Sequence, residues 1–174
     1  QELFEKVYVE KLHVKEARLK QLQSQINPHF FYNCFSFITS MAKLRNHEAV
    51  VAMAHNLSKY YRYTTRQERD LVPLSDEVEF VQYYLKIQQM RMPRLTFTID
   101  ISSQAHSLLV PPLVLQPLVE NAVLHGIEPQ AEEGIIRIMT ECIGSSMYLI
   151  VDDNGLGLSE EDITSLTLAL EKPV

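Results

Sequence analysis

Residues 25–33 read Gln25-Ile26-Asn27-Pro28-His29-Phe30-Phe31-Tyr32-Asn33. A proline and a histidine sit inside a strongly helical run, and an asparagine follows the histidine four residues later. Positions i and i+4 share a helix face, so the spacing predicts His29 and Asn33 as neighbours. A free imidazole titrates at about pH 6.5 and is mostly an uncharged nucleophile at neutral pH. Pro28 removes one backbone hydrogen bond and crowds the carbonyl four residues back. Either a new helix opens here, with Asn27 as N-cap, or one helix runs through with a kink. Ile26, Phe30, Asn33 and Phe37 keep helical spacing across the proline, which favours the kink. Phe30, Phe31, Tyr32, Phe35 and Phe37 spread around the helix, which is therefore expected to be covered on more than one side.

Upstream, residues 1–26 hold no glycine or proline and are rich in strong helix formers. Leu12, Leu19 and Ile26 recur every seven residues with Leu22 on the same stripe, a short coiled-coil seam that asks for a partner helix or a second copy. Downstream, Asn46 is placed to cap a helix over 47–68, with Val50, Met53, Ala54, Leu57, Tyr60 and Tyr61 on its buried face. The short link predicts an antiparallel helical hairpin, and hairpins with a heptad seam commonly dimerise into four-helix bundles.

After residue 70 the pattern changes. Ser75 is expected to cap a helix reaching Met92, with Asp76 and Glu77 complementing its dipole and Val78, Val81 and Leu85 buried. Pro93 ends it. Leu95, Phe97, Ile99 and Ile101 alternate with polar residues as a strand. Pro111-Pro112 opens a helix from Leu113 to His125, with Gly126 as its C-terminal stop. Alternation over 136–142 and 147–152 predicts two strands joined at Gly144-Ser145, and a last helix covers 160–170. The fold class is α+β. A helical hairpin over 1–70 precedes a domain over 71–174, whose helices cover one face of a mixed or antiparallel sheet.

The chain has 174 residues, 46% of them apolar and 22% charged, the profile of a folded domain. A net charge of −6 with no dense basic patch argues against nucleic-acid binding. Cys34 and Cys142 form no metal-ligand spacing and read as buried reduced thiols. No apolar run is long enough to span a membrane. The sequence opens at Gln1 inside a helical pattern and stops at Val174 just after another, so it is expected to be a piece of a larger protein.

Two further stretches carry chemistry. Gln116-Pro117-Leu118-Val119-Glu120-Asn121-Ala122 sets a carboxylate and a carboxamide side by side in an apolar helix. Burying them has a desolvation cost unless they meet partners. An asparagine oxygen suits Mg²⁺ when phosphates and waters complete the shell. Val151-Asp152-Asp153-Asn154-Gly155-Leu156-Gly157 leaves an apolar strand. Asp153 is placed to accept from an exocyclic amine such as that of adenine, while Gly155 and Gly157 allow close backbone approach to a flat ligand.

In order and spacing, the three stretches resemble the sensor histidine kinases of the LytS/YesM type over nearly the whole chain. The resemblance implies that His29 is the phosphoacceptor, with Asn33 beside it. Residues 73–91, from Pro73-Leu74-Ser75 to Arg91, are similar to that family's connecting segment. Pro111-Pro112 through Glu120-Asn121-Ala122 to His125-Gly126 resembles its asparagine box, making Asn121 the Mg²⁺ ligand and placing His125 in the nucleotide site. Asp153 through Gly157 resembles its first glycine box, making Asp153 the adenine contact. Glu120 is a candidate to orient or deprotonate the histidine. The implied fold after the hairpin is the two-layer sandwich of the Bergerat (GHKL) ATPases, truncated before the ATP lid and second glycine box. The implied reaction is ATP- and Mg²⁺-dependent autophosphorylation of His29, then transfer to an aspartate of a response regulator receiver domain. The implied setting is a homodimer, coupled to an upstream membrane sensor on the cytoplasmic side of a bacterial membrane. Leu124 departs from the pattern where many members carry lysine, and Phe31 and Cys34 stand where Leu and Thr are common. With the lid expected beyond residue 170, this segment is expected to bind nucleotide poorly. Two other classes stay open: a clamp ATPase of the same superfamily, and a non-catalytic dimerisation module.

Overall fold

The computed structural model describes residues 28–65, 70–144, 146–157 and 163. The coiled-coil seam, the helical run before Pro28 on which a kink depends, and the expected helix over 160–170 (residue 163 apart) lie outside them. The chain divides into two compact units, Gln1–Ala54 and His55–Val174.

In the first unit, α1 (Pro28–Lys43) buries Phe30 and Cys34. Tyr32 and Phe35 are 71% and 57% exposed, so the expectation that this helix is covered on several sides is not met among the described residues. α1 ends in a link over residues 44–46, where Arg45 takes a left-handed backbone (φ 57°). α2 (His47–Thr65), which runs from the first unit into the second, then starts as expected, with the Asn46 side-chain oxygen accepting the Ala49 N–H at 3.1 Å. Met53, Leu57 and Tyr60 of its expected apolar face are buried, whereas Ala54 and Tyr61 are exposed.

The second unit is a mixed sheet with helices packed on it. β1 (Val72–Pro73) runs directly into α3 (Leu74–Arg91). The expected cap at Ser75 is corrected: Pro73 holds the N-cap position and no side chain caps the helix. Instead the backbone N–H groups of Leu74 and Ser75 donate to the Leu108 and His106 carbonyls, at 2.8 and 3.1 Å. That satisfies two donors which a capping side chain would otherwise serve. β1 pairs antiparallel with β3 (Leu109–Val110), so the same loop anchors strand and helix start together.

β2 (Leu95–Asp100), β4 (Gly134–Ile143) and β5 (Ser146–Asp153) form the main sheet. β4 is central, parallel to β2 and antiparallel to β5. Ile143 pairs with Ser146 across the turn, and Gly144 supplies its positive φ of 64°. Leu95, Ile136 and Ile138 fall on one sheet face by the two-residue alternation and are buried. α3 contributes Phe80, Val81, Tyr84, Leu85 and Ile87 to the core. Tyr60 and Tyr63 of α2 stack on Phe80 at 4.9 and 4.4 Å between centroids. Cys34 is buried, but Cys142 near the hairpin tip is exposed, which corrects the reading of two buried thiols.

The helix expected over 113–125 is shorter at its start and longer at its end. Leu113 has φ 61° and cannot join it. α4 spans Gln116–Asn121 and continues as a π-helical turn, Ala122–Ile127. Gly126 is therefore not the stop. The end of the turn is held by Arg94, whose guanidinium donates to the Ile127, Glu128 and Glu132 carbonyls at 3.0, 3.2 and 3.1 Å. Those are carbonyls that a helix end otherwise leaves without donors.

Candidate functional site

The expected site residues fall in two groups, one in each unit. In the first, His29 is exposed in the first turn of α1, and Asn33 lies one turn on. The Asn33 amide nitrogen is 3.3 Å from His29 Nδ1 and 3.4 Å from Nε2. A neutral imidazole has one ring nitrogen able to accept, and the amide reaches whichever it is. Asn33 therefore orients the exposed ring without selecting a tautomer, and this bond has to open before the accepting nitrogen can attack.

The second group is built where β5 ends against the π-turn. Asp153 Oδ1 accepts the Gly155 N–H at 2.9 Å, which tightens the strand end and leaves Oδ2 able to accept from a ligand. The loop lies on Gly126, and its Leu156 N–H donates to the Gly126 carbonyl at 3.3 Å. A methyl group on Gly126 would sit 2.6 Å from Asp153 Oδ1, and one on Gly155 would collide with the Gly126 backbone. Gly126 is bare because the carboxylate must pass it. Gly157 is different: its surroundings are open, and only its φ of 70° calls for glycine. Asn154 locks the loop to β4. Its Oδ1 accepts from Ile135 N–H at 2.6 Å, and its Nδ2 donates to the Glu133 carbonyl at 2.8 Å.

Asn121 is exposed where α4 meets the π-turn, and His125 is exposed one turn later. Bonding in the wide turn runs from i to i+5, as the Glu128 N–H to Val123 carbonyl bond at 2.8 Å shows.

Glu120, next to Asn121, is half-buried and points to a polar interior. Gln116 Nε2 donates to Glu120 Oε1 at 2.6 Å and to Tyr60 Oη at 2.9 Å. Burial raises the Glu120 carboxyl above the usual range, and the Gln116 hydrogen bond offsets part of the rise. A raised carboxyl is a stronger base at neutral pH. Glu77, read from sequence as a dipole complement, is fully buried. Its Oε1 accepts from Tyr63 Oη at 2.5 Å and from Leu113 N–H at 2.7 Å, and its Oε2 accepts from Leu115 N–H at 3.1 Å. Burial first, then the Glu77 carboxylate, pushes the Tyr63 hydroxyl well above its ordinary value. Glu77 thus fixes the loop that delivers α4. Gln116, Gly126 and Asn154 were present in the quoted stretches, but their sequence carried no sign of these contacts.

A histidine kinase family model matches residues 17–95. The sensor histidine kinase YesM of Bacillus subtilis (strain 168) is 37% identical over 158 residues, covering 90% of this chain and 27% of that protein. The sensor protein LytS of Enterococcus faecalis is 35% identical over 150 residues, covering 85% of this chain and 25% of that protein. The sensor histidine kinase YpdA of Escherichia coli (strain K12) is also 35% identical, with 85% and 26% covered. The chain belongs to the LytS/YesM-type sensor histidine kinases. It spans about a quarter of the length of the curated relatives it matches. In LytS/YesM terms, the matched family model covers the His29 segment, α2 and α3, and the similarity to the relatives extends over most of the chain.

Proposed function

We propose that this segment is the phosphoacceptor and ATP-binding part of a two-component sensor kinase. The γ-phosphoryl group of ATP passes to His29 and then to an aspartate of a response regulator receiver domain. A phosphoacceptor hairpin over 1–70 and a Bergerat-type ATP-binding domain over 71–174 divide the work. The observation that carries the reading is the Asp153–Gly155–Gly126 contact, a strand-end carboxylate held open beside side-chain-free backbone. That cradle fits a flat base with an exocyclic amine, with Asp153 accepting the amine and Gly155 and Gly157 lining the approach. His125 stands on the same turn.

The donor set in this reading is the side-chain oxygen of Asn121, exposed on α4, together with the nucleotide's own oxygens. One neutral oxygen ligand fits Mg²⁺, which keeps waters and phosphate oxygens for the rest of its shell. Bound there, Mg²⁺ supplies charge neutralisation at the phosphates. In the transfer, an imidazole nitrogen of His29 forms a bond to the γ-phosphorus, the bond to the bridging oxygen breaks, and ADP leaves. Glu120 takes the imidazole proton, and Asn33 holds the ring. The exposed Tyr32 and Phe35, with the heptad seam before them, support a homodimer through the hairpin. None of the described helices is long and apolar enough to cross a membrane. An upstream membrane sensor, with this segment on its cytoplasmic side, completes the proposal.

The test is labelling of the full-length natural protein from γ-³²P-ATP with Mg²⁺, compared with His29→Gln. The expected result is an acid-labile, base-stable label that the variant loses. A normal label in the variant rules out His29. Leu124, where many members carry lysine, favours a second reading, a non-catalytic module. No label and no ATP binding in the wild type would support that reading.

A further inference from the structure

We infer that Gln116 is a positioning residue for Glu120: its side-chain amide, anchored on Tyr60 of α2, sets where the Glu120 carboxylate points. The inference rests on the phosphotransfer reading above, in which Glu120 takes the His29 proton.

Gln116 and Tyr60 are 8% and 2% exposed, so neither side chain is free to exchange its partner for water. Gln116 and Glu120 are one turn apart on α4, the spacing at which two side chains meet. An ionised carboxylate can only accept, so the amide must present its nitrogen to Glu120, which fixes the amide's orientation. Its two N–H groups then divide between Glu120 Oε1 at 2.6 Å and Tyr60 Oη at 2.9 Å. The carboxylate is thereby tied to Tyr60, in the part of α2 that belongs to the second unit. Among the described residues, Gln116 on its own helix, Tyr84 of α3 and Tyr60 through the amide face Glu120 or its anchor. The Tyr84 hydroxyl is pushed up mainly by burial and next by the Glu120 charge. A purely structural pair would fill space equally well with a methionine in place of Gln116.

The experiment uses Gln116→Met and Tyr60→Phe with two readouts. The Gln116 side-chain amide is followed by ¹H–¹⁵N NMR in this chain and assigned with Gln116→Met. The His29 labelling rate and ATP affinity are measured in the full-length protein. In the wild type both Gln116 amide protons should be displaced from free-glutamine positions and exchange slowly, and Tyr60→Phe should move one of them. In Gln116→Met the labelling rate should fall about tenfold with ATP affinity within about twofold, as expected when a reacting group is misplaced. Tyr60→Phe, which removes one hydroxyl and keeps the core filled, should lower the rate by about threefold, with the same unchanged affinity. Amide protons at free-glutamine positions overturn the contact, and wild-type rates in both variants overturn the positioning role. If Glu120→Gln labels at the wild-type rate, the proton-acceptor reading has failed. The amide resonances still decide the contact independently.

Discussion

The exposed face of α1 and the interior of the second unit use polar groups in opposite ways. His29 faces solvent with one amide beside it, whereas Glu77 is fully enclosed and gives its oxygens to Tyr63, Leu113 and Leu115. A reactive group on an open face can be exchanged without disturbing packing. A buried carboxylate that satisfies two backbone donors cannot, because its removal strands them. Glu77→Ala should therefore lower stability by about 3–5 kcal/mol, read as a shift of the urea midpoint. His29→Gln should stay within roughly 0.5 kcal/mol of wild type while losing its label. Tyr63→Phe, which removes one donor and leaves both backbone bonds, should cost about 1 kcal/mol. Equal losses from Glu77→Ala and His29→Gln would erase the contrast.

The loop after β5 offers an intermediate case, exposed on its ligand side and tight underneath. Gly155→Ala places a methyl group into the Gly126 backbone, so the loop must shift. The expected cost is about 1–3 kcal/mol. Binding of a fluorescent ATP analogue to the full-length protein should weaken with it. Gly157→Ala meets no neighbour, and its effect should come from the φ of 70° alone. If both variants bind alike, close packing at Gly155 is not what shapes the site.

The elements that sequence reading placed well are those with a long period or a local cap. α2 announced its start through Asn46, β2 through its alternation, and the β4–β5 hairpin through Gly144. β1 and β3 have two residues each, too few for any period. The start of α3 was misjudged because its first donors are satisfied by carbonyls about thirty residues away, which makes a cap at Ser75 unnecessary. The end of α4 was misjudged for a related reason. Gly126 resembles a helix stop, but it is bare for Asp153, and Arg94 closes the helix from the turn before β2. For the candidate site, the stretches around His29, Glu120 and Asp153 were legible as patterns of residue types. The supporting contacts of Gln116, Glu77 and Asn154 were not, since each depends on a partner distant in sequence.

Glu120 gives the smallest effect and the sharpest sign. Its folded carboxyl lies above the ordinary value of 4.5, with burial as the main cause. Below that value the group is protonated in both the folded and unfolded states, and its stabilising share is fully present. As pH rises, the unfolded chain releases the proton first while the folded chain retains it. Stability is therefore lost as pH climbs through the folded value. Glu120→Gln removes the titration and leaves an amide in its place. The stability difference between variant and wild type should grow in the variant's favour from about pH 4 upward and level off once Glu120 is ionised in the fold. Paired urea titrations across that range measure it. A difference that is flat in pH would mean that Gln116 already compensates the burial of the charge. A variant more stable at neutral pH yet unable to label His29 would show a carboxylate held for chemistry against its stability preference.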